Sequence, residues 1–337
     1  MNMGKLSSNE LKKLLACIKT DSRVIVPPMV GYDSGVHKIG NKCTVVSTDP
    51  CIGVPEEWFG YLLINYAASD VALFGAKPEF CTINLLGSPE TKSETFQTAM
   101  QQACEAANEL DIALVTGHTG TYSSLYSLVG VCTTYGTVEL ENLKTPGNAK
   151  AGDIIVCTKP VGLETAINFS LIHKIPALNL FGKQQAEQLA KQVHMQSCIN
   201  EALQLAKIKG IHAMHDATEG GLVAALNEVA EASNLGFKID YEKVPLTPEV
   251  QALQETFGLS DEQVLAMSST GTILAAVDPD AEKEVAETLK KCGLNANSLG
   301  QFTKDMKRVL VRNNRELNFP KVADDPYSRI MHALKAA

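Results

Sequence analysis

The chain has 337 residues, a net charge of −8, 45% hydrophobic and 20% charged residues. That length predicts two domains, and that balance an ordinary globular enzyme rather than a fibrous or disordered chain. There is no long basic tract, so nucleic acid is not expected as a main partner; apolar runs such as "TILAAV" fall far short of the roughly 20 residues that span a bilayer, so no membrane partner is expected and the cytoplasm is the default.

In chain order, "MNMGKLSSNELKKLLACIKT" lacks a signal-peptide core and reads as an amphipathic helix with Cys17 packed on its apolar side. "CTVVSTD" reads as a strand ending at Asp49. "FGYLLINYAASDVALFGA" is a helix closed by glycine. "EFCTINLLG" is a strand, and "SETFQTAMQQACEAANEL" a helix that Ser93 or Thr95 caps. "IALVTG" is a strand running into a Gly117–Gly120 turn, and "SLVGVCTTYGTV" a β-branched strand. "KTPGNAKAGD" is the expected boundary between domains at 1–145 and 146–337. Beyond it come the strand "IIVCTKP", helical patterns over 163–173 and 184–208, "IHAMHDAT" with its helix, "SSTGTILAAV", the helix "AEKEVAETLKKCG" and the strand "RVLVRN". Interleaved strands and helices make the class α/β or α+β. The nine cysteines form no CxxC pair and read as small buried thiols.

Neither G-x-x-x-x-G-K-[ST] nor G-x-G-x-x-G occurs, so a nucleotide site here needs another device. The candidates are aspartates at element edges, each with a local alternative. Asp33 can be a turn residue between glycines, and Asp49 an Asx turn before Pro50. Asp216 with Glu219 reads as a capping box before the helical face Leu222, Ala225, Leu226 and Val229. Asp70 resists such a reading. It interrupts an apolar helix, where an unpaired carboxylate is costly and needs a donor or a cation. Four acids from separate segments can supply the hard oxygens that Mg²⁺ on a polyphosphate demands. Glycines 117 and 120 around His118 and Thr119 let backbone N–H groups approach a ligand, or simply form a turn. His212 and His215, three apart, face opposite ways on a strand, which argues against a shared zinc.

The ordered series "VGYDSGV", "VVSTDP", "AASDVALFGAKP", "VTGHT", "KAGDIIVCTKPVGLETA", "MHDATEGGL" and "SSTGTILAAV" resembles the aminoimidazole ribonucleotide (AIR) synthase-related, PurM-like superfamily. The likeness runs from about residue 24 to about residue 311 and is greatest to its HypE-like branch. It implies a two-domain fold. An N-terminal ATP-binding domain pairs strands into a barrel across a homodimer, and an α/β domain follows. It also implies ATP and Mg²⁺ as cofactors and phosphoryl transfer to a small or protein-borne carbonyl, amide or phosphate acceptor. By position, Asp33, Asp49, Asp70 and Asp216 match the metal-binding acids. Gly117, His118 and Thr119 match the phosphate-proximal turn, with Asp70 and His118 as the catalytic candidates. Gly31, Thr48, Ser69, Thr218 and Gly220 fall in the same motifs as ATP contacts.

The departures are Tyr32, where many relatives carry a second acid, and Gly120, where close relatives often read Glu. The ending "SRIMHALKAA" has no cysteine after Cys292, so the HypE reaction on its own tail is not expected. A catalytically silent nucleotide-binding partner or maturation accessory is the alternative. Thiamine-monophosphate kinase-like and selenophosphate synthetase-like transfer are the alternative enzymes.

Overall fold

The computed structural model describes residues 6, 8–322 and 324–333. The described residues form two compact units: a smaller one of residues 20–28 and 33–143, and a larger one of the described residues within 6–19, 29–32 and 144–333. The fold is mixed α/β in both.

Helix α1 (Ser8–Leu15) belongs to the larger unit and is tied to it by Lys12 and Glu231, 2.6 Å apart. It stops before Cys17, which is exposed rather than packed. The expected N-terminal helix also took in residues 1–5 and 7, which lie outside the described residues.

The smaller unit is a six-stranded sheet of β1 (Val24–Val26), β2 (Ser34–Ile39), β3 (Lys42–Cys51), β4 (Lys77–Gly87), β5 (Ala113–Thr121) and β6 (Val129–Val138). The strand order is β1-β2-β3-β6-β4-β5. Only β4 and β5 pair in parallel, and helix α3 (Ser93–Glu109) is their crossover. Helix α2 (Phe59–Leu73) links β3 to β4 and buries all its residues except Tyr61 and Tyr66, as an all-round apolar helix must. Gly75, with φ +84°, terminates it as expected. Gly60 brings α2 against α3: a Cβ there would stand 2.1 Å from the Ala99 carbonyl. Three sequence expectations fail in this unit. Lys92, not Ser93 or Thr95, is the N-cap of α3, with no side-chain bond. Asp49 does not end β3, because pairing with β6 carries the strand on through Pro50 and Cys51. Gly117–Gly120 is not a turn, because β4 pairs with β5 through all four residues.

The larger unit holds a seven-stranded sheet with β7 (Ile154–Cys157), β8 (Ile211–Ala217), β9 (Gly236–Asp240), β10 (Ser269–Val277), β11 (Asn297–Thr303), β12 (Arg308–Arg312) and β13 (Arg315–Asn318). Its order is β13-β12-β9-β11-β7-β10-β8. Every residue of β10 is buried. Around the sheet lie α4 (Leu163–Ile172), α5 (Lys174–Phe181), α6 (Lys183–Ala190), α7 (Ile199–Ala206), α8 (Gly221–Ala232), α9 (Pro248–Phe257), α10 (Asp261–Leu265), α11 (Glu282–Lys291) and α12 (Tyr327–His332). The helical pattern over 184–208 breaks between α6 and α7 for a tertiary reason. Buried Lys159 reaches into the break, where its Nζ donates to the carbonyls of Met195 and Ser197 at 2.9 and 2.7 Å and pairs with Glu201 at 2.5 Å. Six of the nine cysteines are buried, as the sequence suggests. Among the described residues no helix is long and apolar enough to cross a membrane.

Candidate functional site

In the smaller unit three of the candidate acids gather around one serine. Ser47 on β3 places its Oγ 2.7 Å from Asp70 Oδ2 and 3.0 Å from the carbonyl of Asp33. One hydroxyl proton serves one acceptor at a time, so Ser47 cannot satisfy the buried Asp70 carboxylate alone. Asp70 is 4% exposed. Asp49, two residues along β3 from Ser47, shares its face of the sheet. Ser69, beside Asp70 on α2, is buried as well. Thr48 projects to the opposite face, where Thr133 Oγ1 donates to its hydroxyl at 3.0 Å. Gly117, His118 and Thr119 lie on the edge strand β5, separated from β3 by β6 and β4. Three strand spacings put them about 14 Å from Asp49 on β3. One copy of this sheet therefore brings together Asp33, Asp49, Ser69 and Asp70, but not the His118 segment or the Thr48 side chain.

His118 Nε2 meets the Tyr122 hydroxyl at 2.7 Å. Both residues line an open cavity of about 420 Å³ with Asn84, Leu86, Ser124 and Leu125.

In the larger unit, residues 29–32 make a turn closed by Tyr32 N–H to the Met29 carbonyl at 3.3 Å. Gly31 takes φ +79°, and a Cβ there would stand 2.9 Å from Glu228 Cβ. Only glycine suits both the angle and the approach. Tyr32 packs its hydroxyl over Gly147. Asp216 and His215 lie in β8, both buried. The His215 ring has Nδ1 at 2.8 Å from the Asp216 carbonyl and Nε2 at 3.0 Å from Glu228 Oε2. His212 turns instead to Asp153, 3.0 Å away, so the two histidines part as their spacing predicts. Asp216 is 2% exposed, and its Oδ1 has no hydrogen-bond partner among the described residues. A buried carboxylate oxygen left this way is the feature a cation relieves, and hard carboxylate oxygens are the donors magnesium takes. The residues fit that ion.

Asp216 and Glu219 form no capping box. Asp216 is still strand, and α8 begins only after its N-cap Gly220, φ +79°. Thr218 contributes its carbonyl to the turn, accepting from Gly221 N–H at 2.9 Å. The anion at this helix start is Asp325, from the C-terminal segment. Its Oδ2 accepts from Gly220 N–H at 3.1 Å and from Ser268 Oγ at 2.7 Å. Burial pushes the Asp325 carboxyl above the usual range. Glu164 on α4 is buried nearby. Its Oε2 accepts from Thr270 Oγ1 at 2.6 Å and Thr270 N–H at 3.2 Å. Burial first, then repulsion from Asp325 and Glu219, pushes it up to about 7 against the opposing Thr270 bonds. Sequence reasoning passed over Glu164 and Asp325. The signal for Glu164 was the one used for Asp70, an acid inside an apolar helix; Asp325 carried none.

A family model for AIR synthase related proteins, N-terminal domain, matches residues 31–138, and one for the C-terminal domain matches residues 150–312. A Methanocaldococcus jannaschii protein named for hydrogenase expression and formation is 27% identical over 285 residues, 83% of this chain and 82% of that one. The selenide, water dikinase of Escherichia coli K12 is 28% identical over 312 residues, 84% and 85% of the two chains. Among solved structures, the hydrogenase maturation protein HypE in complex with ATP superposes with a TM-score of 0.71 at 17% identity, over 94% of this chain and 91% of that one. With both family domains matched in order and the fold shared, the chain belongs to the AIR synthase-related family.

Proposed function

We propose that this protein is an ATP- and Mg²⁺-dependent phosphotransferase that activates a small or protein-borne carbonyl, amide or phosphate acceptor. The observation that carries this reading is the buried Oδ1 of Asp216, without a hydrogen bond among the described residues, within the family-matched segment. The carboxylates proposed for metal binding are Asp33, Asp49 and Asp70 in the smaller unit and, separately, Asp216 in the larger. When bound, the ion neutralises polyphosphate charge, which is most of what phosphoryl transfer asks of a protein. Gly31, Thr48, Ser69, Gly117, His118, Thr119, Thr218 and Gly220 are the proposed nucleotide contacts. Asp70 and His118 stand nearest the chemistry in this reading. The ATP held by the HypE structure and the dikinase activity named for the E. coli relative support it.

A homodimer belongs to the same proposal. The His118 segment lies about 14 Å from Asp49 within one sheet, so a second copy is the natural source of the missing half. Exposed Leu114 and Val115 on β5, with Phe80 stacked on Tyr135 on β4 and β6, offer apolar surface for it. Residues 1–145 would then act as the ATP-binding and dimerisation part, and 146–337 as the second domain.

The test is ADP release from Mg-ATP against panels of carboxylate, amide and phosphomonoester acceptors, with thermal shift by Mg-ATP in parallel. Acceptor-dependent ADP supports the reading; no shift and no ADP overturn it. A shift without turnover would favour the silent nucleotide-binding alternative, which gains weight from Asp325 already holding the Gly220 N–H.

A further inference from the structure

We propose that Tyr122 is a positioning residue that locks His118 in its Nδ1–H tautomer, so that the ring offers a hydrogen-bond donor to a phosphoryl or carbonyl oxygen of the ligand. The ligand half rests on the proposed ATP-dependent function; the tautomer half does not.

The contact is short, 2.7 Å between His118 Nε2 and the Tyr122 hydroxyl. A phenol is a much stronger acid than a neutral imidazole N–H, and an imidazole nitrogen lone pair is a better acceptor than a phenolic oxygen. The O–H therefore donates and Nε2 accepts. With Nε2 used as an acceptor, the proton of the neutral ring sits on Nδ1. The other partner of a histidine sets which nitrogen carries the proton, as it does for ligating histidines.

Three features hold the pair. The Tyr122 N–H donates to the Gly87 carbonyl at 2.9 Å, and its carbonyl accepts from Leu125 N–H at 3.1 Å. The strand pairing of His118 with Asn84 fixes the other end. Gly120, between them, leaves room. A Cβ there would stand 3.3 Å from the Tyr122 hydroxyl and 3.4 Å from His118 Nε2. That gives the missing side chain at position 120 a purpose: any larger residue crowds the bond.

The consequence is chemical selectivity. A ring whose Nε2 is engaged and whose Nδ1 carries the proton has no lone pair left for a metal or for proton abstraction. It can only donate. The polar end of the cavity that His118 and Tyr122 share then accepts ligands through an oxygen acceptor, not through an N–H donor.

The test reads ring nitrogens directly. Long-range ¹⁵N–¹H spectra of the full chain at pH 8, with His118 identified by its signal loss in His118→Asn, report which nitrogen is protonated. The expected result is Nδ1–H in the wild type and reversion to Nε2–H, the solution preference, in Tyr122→Phe. Gly120→Ala should shift the ring the same way in part. Mg-ATP or acceptor-analogue affinity should fall about tenfold in Tyr122→Phe. Nε2–H in the wild type, or an unchanged tautomer in Tyr122→Phe, overturns the lock. A changed tautomer with unchanged affinity overturns the donor role. If the wild type binds no nucleotide while the tautomer still switches, the positioning stands and the proposed function falls.

Discussion

Glu164→Gln isolates one buried carboxyl. In the fold this group titrates at about 7 rather than its ordinary 4.5, chiefly through burial. Its folded pKa is raised, so the native state holds the proton more tightly than the unfolded chain. Its contribution to stability is complete below the unfolded pKa and is lost as pH rises through about 7. The gap between the two values corresponds to about 3 kcal/mol as an upper figure. Gln keeps an oxygen for Thr270 Oγ1 and N–H but does not ionise. Wild type and variant should therefore unfold alike near pH 4.5. By pH 8 the variant should be the more stable by up to about 3 kcal/mol, or roughly 6–12 °C in melting temperature for a domain of this class. Urea unfolding followed by circular dichroism at pH 5, 6, 7 and 8 measures the difference. Equal pH slopes for the two proteins would refute the assignment of a neutral buried Glu164.

Asp325→Ala removes the acceptor of both Gly220 N–H and Ser268 Oγ. It should cost about 1–3 kcal/mol in the same unfolding assay, and it should move the Glu164 titration down, because Asp325 is one of the charges that raise it. Gly60→Ala drives a methyl into the Ala99 carbonyl across the α2–α3 contact. A loss of about 1–3 kcal/mol is expected; an unchanged melting temperature would show that the helices separate without cost.

Asp70 was legible because its environment can be read from the chain: a carboxylate among Ala67, Ala68, Val71 and Ala72 has to be buried and paired. The stop at Gly75 was legible for an equally local reason. Gly117–Gly120 was not, because glycines signal a turn in isolation while the pairing of β4 with β5 keeps them in a strand. The break at residues 191–198 depends on Lys159, more than thirty residues upstream, and local periodicity cannot see it. Asp325 supplies the anion at the start of α8 from over a hundred residues away. In "MHDATEGGL" the local pair of Asp216 and Glu219 looked sufficient for that task, yet the strand runs to Ala217 and, among the described residues, Asp216 Oδ1 makes no hydrogen bond. The motifs therefore carried the family and the candidate acids, while the partners of those residues are tertiary.

The proposed service of these carboxylates to Mg-ATP can be read at Asp216. Among the described residues its Oδ1 makes no hydrogen bond, with His215 Nδ1 3.8 Å away, so Asp216→Asn removes charge without removing a hydrogen bond at that oxygen. Isothermal titration of Mg-ATP into wild type and variant, with unfolding midpoints measured alongside, decides it. Affinity at least about tenfold weaker in the variant is expected, with a midpoint equal to or above that of the wild type. Equal affinity in the two proteins would contradict it.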